Sequence, residues 1–262
     1  MKKEFSDEIL KGEIVIDRPL TVFTGRNGTG KTYAAKRIAG YYMPFGCYSP
    51  DNFHDYTVCP SKKPDSEYAE ISQRILNELL NCQFNTFDDS YHFEWITPIG
   101  KSIRNVNPAG YAGAMIPFLI ELRHKVKRGD TLILDLPETH QDPHNQVLIA
   151  RFIVRLANAG LKVVLVTHSN YIIREINNLI MLSGVKEGRR AEFTEIMNKY
   201  GISPECTISP SAVRAYNFEG GEVKETGVTR DGFEVKFIDE VIDRITDETA
   251  DLHYLLYDEN AG

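Results

Sequence analysis

The sequence predicts an α/β fold in which a mainly parallel sheet is flanked by helices. Apolar runs at 20–23, 131–135 and 162–167 read as buried strands. A helix-like segment follows each, with apolar residues at helical spacing such as Leu148, Ile149, Phe152, Ile153 and Leu156, or Ile172, Ile173, Ile176 and Ile180. A glycine-rich turn joins the first strand to its helix, and such alternation of strands with helices builds parallel sheets.

In chain order, strands at 14–16 and 20–23 are joined by Asp17-Arg18-Pro19, and a helix is expected over 33–42. Residues 44–108, rich in Pro, Asp, Asn and aromatics, read as a mixed insert subdomain. It holds one helical stretch over 67–82, where Ile71, Ile75, Leu79 and Leu80 recur, and a small hydrophobic cluster at Tyr91, Phe93 and Trp95. Met115, Ile116, Leu119 and Leu122 mark a helix ending in the cations His124, Lys125, Lys127 and Arg128, as the helix dipole favours. Asp142-Pro143 supplies an N-cap and a first-turn proline, and Gly160 stops that helix. In the tail, 213–218 and 222–226 flank Gly220-Gly221 as a hairpin. A closing helix over 235–257 carries Phe237, Ile238, Val241, Ile242, Ile245, Leu252, Leu255 and Leu256. The expectation is one domain over 1–262, with the hairpin and helix of 209–262 packed on its core.

Composition narrows the class. The chain is 42% hydrophobic and 26% charged, as folded proteins are, and contains no apolar run of spanning length. Acids at Glu4, Asp7 and Glu8 follow the first lysines, which argues against a secretory signal and for a cytoplasmic protein without a membrane partner. Cys47, Cys59, Cys82 and Cys206 form no CxxC pair and are expected as reduced thiols. A net charge of −7 does not indicate a DNA partner.

The strongest chemical signal is Gly25, Arg26, Asn27, Gly28, Thr29, Gly30, Lys31 and Thr32, which fit GxxxxGK[ST] in full between a strand and a helix. Glycines let backbone amides wrap phosphates, the lysine reaches the outer phosphates, and the threonine hydroxyl holds magnesium. Such a loop needs an acid at a neighbouring strand end, and Asp135 closes TLILD in that position. Glu138 follows in Asp135-Leu136-Pro137-Glu138-Thr139-His140. Another strand ends in Thr167-His168-Ser169, where His168 either caps the next helix or donates to the terminal phosphate or the attacking water.

With these motifs in place, the chain resembles the ABC-type ATPases of the SMC, recombination and OLD-like branch. FTGRNGTGKT resembles that branch's Walker A, LILDLPETHQDPHNQ its Walker B segment, and VVLVTHSNYIIREINNLI its switch-histidine segment. The tail, with VRAYNFEGGEV and a final helix, is similar to the ends of these proteins. The resemblance implies an ABC-type P-loop core that takes ATP and Mg2+. It implies Gly25 to Thr32 as the ATP-binding loop, Thr32 and Asp135 as metal ligands, and Glu138 and His168 as catalytic candidates. It also implies a homodimer or higher homo-oligomer closing head-to-tail around two ATP molecules. More loosely, it implies a separate effector, a nuclease or toxin, in bacterial antiphage defence.

Two departures shape the expected chemistry. Leu136 stands where family members place the glutamate that polarises water, and NPAGYAGAMIPFL has Gly110 and Gly113 but no serine where the signature motif belongs. ATP binding with slow hydrolysis is therefore the expectation, with Glu138 the candidate to compensate for Leu136. The rival readings are a DNA-repair ATPase, which needs a basic stripe, and a non-hydrolysing nucleotide-gated scaffold, which Leu136 favours. A transporter ATPase is the weakest reading. The segment between the two Walker motifs lacks heptads, so long coiled-coil arms are not expected.

Overall fold

A computed structural model describes residues 1–45, 67–80, 82–87, 90–96, 102–104 and 111–257. Its main sheet has eight strands in the order β1 (Lys2–Ser6), β2 (Lys11–Val15), β11 (Glu222–Thr226), β10 (Val213–Glu219), β3 (Leu20–Gly25), β9 (Lys162–Val166), β8 (Thr131–Asp135) and β4 (Tyr41–Pro44). The five strands from β10 to β4 are parallel. Two antiparallel hairpins, β1–β2 and β10–β11, make the sheet mixed, and Gly220-Gly221 turns the second as expected.

Both faces of the parallel strands are buried, which explains their unbroken apolar runs. Leu132, Leu134, Val163 and Leu165 face a core built with α3 (Tyr111–His124), α4 (Pro143–Asn158) and α5 (Asn170–Ser183). Ile133, Val164 and Val166 face the other side, against Ala34, Ala35 and Ile38 and against Phe5 and Ile14 from the first hairpin. The helix starts are capped locally. Asp142 accepts the Asn145 N–H at 3.0 Å ahead of Pro143, and Ser169 accepts the Ile172 N–H at 3.0 Å.

The insert is rooted in this core. Its helix α2 (Ala69–Ile75) continues as a π-helical turn through Leu76–Leu80, and Tyr68, Ile75 and Leu79 join the first core face. The Ser72 hydroxyl donates to the Leu119 carbonyl of α3 at 3.2 Å. Strands β5 (Cys82–Phe87), β6 (Ser90–Ile96) and β7 (Ser102–Arg104) form a separate antiparallel sheet. Tyr91, Phe93 and Trp95 lie on β6. Their packing, Cys47, Cys59 and residues 105–110 of the expected signature segment lie outside the described residues.

The structure corrects two expectations. The helix expected over 33–42 is only α1 (Lys31–Lys36), and Tyr41, Tyr42 and Met43 instead pair with Leu132, Ile133 and Leu134 as β4. Tertiary pairing overrides local spacing here: aromatic residues suit a sheet edge, and Gly40 lets the chain press against Thr131. The closing helix α7 (Lys236–Tyr257) exists, but its stripe does not pack on the core along its length. Phe237 and Ile238 pack there, yet none of its residues is buried, since α5 already covers that side of the sheet with Ile173, Ile176 and Ile180. Besides the insert strands, β1 and α6 (Arg190–Tyr200), which buries only Met197, carry too weak a pattern to be read from sequence.

A Cβ added at Gly40 falls 2.3 Å from the Thr131 carbonyl oxygen, so β4 must shift off β8. We expect Gly40→Ala to destabilise the protein by about 1–3 kcal/mol. Gly188→Ala, where an added Cβ meets nothing within 4 Å, should change stability by less than about 0.5 kcal/mol. Denaturant melts of both variants check the difference.

Candidate functional site

The glycine loop begins where β3, buried at every residue, reaches the sheet's C-terminal edge. At Gly25 a side chain is excluded, because a Cβ would lie 2.3 Å from the Phe218 carbonyl oxygen of β10. Gly28 is different: its φ is +77° and the space beside it is open to 4 Å, so its backbone is accessible to a ligand. The Thr29 hydroxyl closes the turn onto the Arg26 carbonyl at 2.8 Å. Arg26 and Asn27 are exposed, and Gly30 precedes the first residue of α1.

Lys31 is buried and donates to the Gly25 and Arg26 carbonyls at 2.8 and 2.7 Å. Burial pushes its ammonium down to about 8, against the opposing pull of the Asp135 and Glu138 carboxylates. Next in the chain, the Thr32 hydroxyl donates to Asp135 Oδ1 at 3.2 Å. The other carboxylate oxygen, Oδ2, accepts from the Tyr42 hydroxyl at 2.5 Å, and the Phe45 N–H donates to the Asp135 carbonyl at 3.0 Å. The edge strand β4, through Tyr42, and the residue that follows it, Phe45, thus hold Asp135 on two sides.

Beyond Asp135 the chain turns sharply. Leu136 has a φ of +59°, a strained value for leucine, and its N–H donates to the Val166 carbonyl at 2.9 Å. The Thr139 N–H and hydroxyl both return to the Leu136 carbonyl, at 3.1 and 2.8 Å. This turn packs the Leu136 side chain against the second core face and swings Glu138 to the end of β9. There Glu138 Oε1 accepts from the Thr167 hydroxyl at 2.9 Å and from the His168 N–H at 2.6 Å. The other oxygen, Oε2, is buried without a hydrogen-bond partner. Burial raises the Glu138 carboxyl above the ordinary carboxylate range, although the His168 and Thr167 donors oppose it. His168 is lowered, first by burial and then by the Lys31 charge, which favours the neutral imidazole.

The structure therefore brings the glycine loop, Thr32, Asp135, Glu138 and His168 together at the ends of three adjacent strands. It also supplies residues that sequence reasoning missed. Tyr42 was hidden by its expected place in a helix. Gln146 accepts from the Ser169 hydroxyl at 2.5 Å and donates to the Gln141 carbonyl at 2.9 Å, tying the starts of α4 and α5 together. Thr167 is visible only as the first letter of a THS triplet.

The arrangement also suits a hard cation. Thr32 and Asp135 offer two oxygens, and magnesium is usually held by one or two protein groups with phosphates and waters completing its shell. Among the described residues no group of three or more His, Cys, Asp or Glu forms a cage of its own. What fold and site define together is an α/β protein whose mostly parallel sheet presents a glycine loop, two carboxylates and a histidine on one edge. No protein-family model matches the chain, and comparison with characterised proteins finds no match. Among the described residues no helix is long and apolar enough to cross a membrane.

The orphaned oxygen of Glu138 has a measurable consequence. A carboxyl raised by folding keeps a proton that the unfolded chain has already lost, so this group's contribution to stability declines as pH rises above the ordinary carboxylate value. Glu138→Gln should keep the two accepted hydrogen bonds and escape that loss. We expect its melting temperature to exceed wild type at pH 7, with the gain shrinking toward about pH 4. Calorimetric scans across that range check the trend.

Proposed function

We propose that this chain is an ATP-binding, ATP-hydrolysing protein with an ABC-type P-loop core. The observation that carries the reading is the convergence of Lys31, the Thr32–Asp135 pair and the Glu138–His168 pair on one sheet edge. The open backbone at Gly28 and the charge of Lys31 bind the phosphates. Thr32 and Asp135 would hold magnesium, whose charge would offset that on the phosphates. Glu138 is the general base: its raised carboxyl and unpartnered Oε2 suit it to accept a proton from the attacking water. His168, whose neutral form is favoured beside Lys31, donates to the terminal phosphate or positions that water.

Leu136 does not compete for the base's role, since its side chain packs into the apolar face. In the proposed cycle, two chains close head-to-tail around two ATP molecules in the cytoplasm, and the nucleotide state governs a separate effector such as a nuclease or toxin. Closure driven by ATP with magnesium but not ADP, followed by light scattering, is the measurement for that step.

Lys31→Ala removes a charge-assisted contact typically worth about 1.5–3 kcal/mol, so ATP should bind at least about tenfold more weakly. Wild-type affinity should itself fall as pH rises through about 8, because only the charged lysine attracts phosphate. Titrations with labelled ATP between pH 7 and 9 measure both effects, and equal affinity of the two proteins defeats the reading.

For turnover, Glu138→Gln should lower phosphate release by roughly 10²–10⁴ while ATP still binds. Leu136→Glu should leave turnover within a few-fold of wild type. A steady-state phosphate assay separates the two. Turnover that survives Glu138→Gln assigns the base elsewhere.

A further inference from the structure

We propose that the distal half of α7 docks in the groove between α5 and α6 of a second copy of this chain, so that two chains exchange helices. The groove has a volume of about 520 Å³. Its floor is polar and satisfied: Arg151 pairs with Glu175 at 2.6 Å and donates to the Tyr200 and Gly201 carbonyls at 3.1 and 3.2 Å. Its walls are apolar and open, with Met181, Val185, Ile196 and Tyr200 between 40% and 57% exposed.

The complementary surface is on the same chain. Beyond Ile242 every residue of α7 is exposed, and Ile245, Leu252, Leu255 and Leu256 form a stripe at 53% to 74% exposure. A stripe of this width is a core-facing pattern, and a solitary helix of about 15 residues has little stability in water. Neither surface covers the other within one chain, since both are open.

Charge selects the groove over pairing of α7 with its own copy. The distal half of the helix carries three acids, Asp247, Glu248 and Asp251, and no lysine or arginine. Two such helices repel one another. Beside the groove, residues 185–200 carry four bases, Lys186, Arg189, Arg190 and Lys199, against three acids, Glu187, Glu192 and Glu195. Apolar faces match, and the flanking charges are opposite in sign.

The exchange is isologous, giving two identical contacts. It is also remote from the glycine loop. Helix α5 starts at that sheet edge and runs away from it, so at about 1.5 Å per residue Met181 lies roughly 18 Å along its axis. The proposal therefore stands apart from the nucleotide reading, and its test uses no nucleotide.

Sedimentation equilibrium of the nucleotide-free chain should show a dimer. A double variant, Leu255→Asp with Leu256→Asp, and a groove variant, Ile196→Asp, should each raise the dissociation constant at least about tenfold. All these positions are exposed, so circular dichroism should be unchanged. Mixing the two variants restores one contact, and differently tagged chains should then co-purify although neither variant self-associates. A monomeric wild type overturns the proposal, whether α7 lies free or in its own chain's groove. A dimer lost in the α7 variant but kept in the groove variant also overturns it, in favour of pairing between α7 helices.

Discussion

Five parallel strands share one register row: Tyr216, Phe23, Val166, Asp135 and Pro44 are successive partners across β10, β3, β9, β8 and β4. Asp135 lies in that row, and the segments carrying the other site residues leave one or two residues beyond it. The glycine loop leaves after Thr24, Thr167 and His168 follow Val166, and the Leu136 turn follows Asp135. A one-residue slip of β9 would invert its buried faces and carry His168 away from Glu138. The register of these strands therefore fixes where the polar groups meet.

The site works against the stability of its scaffold. Lys31 is held below its ordinary pKa and Glu138 above its own, so folding disfavours the charged form of both. Leu136 adds backbone strain at φ +59°. The features offset one another in geometry, though not in energy. The strained turn at Leu136 is what carries Glu138 back toward β9, and the Thr167 and His168 donors hold it there. Replacing the residue after Asp135 with an acid would thus not recreate the same arrangement of oxygen atoms.

Much of this was legible in the sequence, because it rests on local rules. The apolar strands, the Asp142-Pro143 start, the Gly220-Gly221 turn and the complete loop from Gly25 to Thr32 all depend on neighbours close in the chain. What was not legible depends on distant partners. Tyr42 looks helical until β8 recruits it to the sheet edge, and only then does its hydroxyl reach Asp135. Glu138 could be nominated from spacing, but its orphaned oxygen follows from the turn geometry. The stripe of α7 was visible, whereas its failure to find a partner within the chain depends on α5 having already taken the space.

The contact between Gly25 and the Phe218 carbonyl carries a temporal consequence. Thr24 and Tyr216, hydrogen-bonded beside it, are separated by 192 residues. At about 5–20 residues per second, β10 is synthesised roughly 10–40 s after β3. Through that interval the edge of β3 that β10 will occupy stays unpaired, as does its other edge until β9 is made, and the glycine loop lacks the wall that shapes it. An interrupted chain that stops before β10 would expose a bare apolar strand edge, so truncated products of this protein are candidates for aggregation or chaperone capture while still on the ribosome.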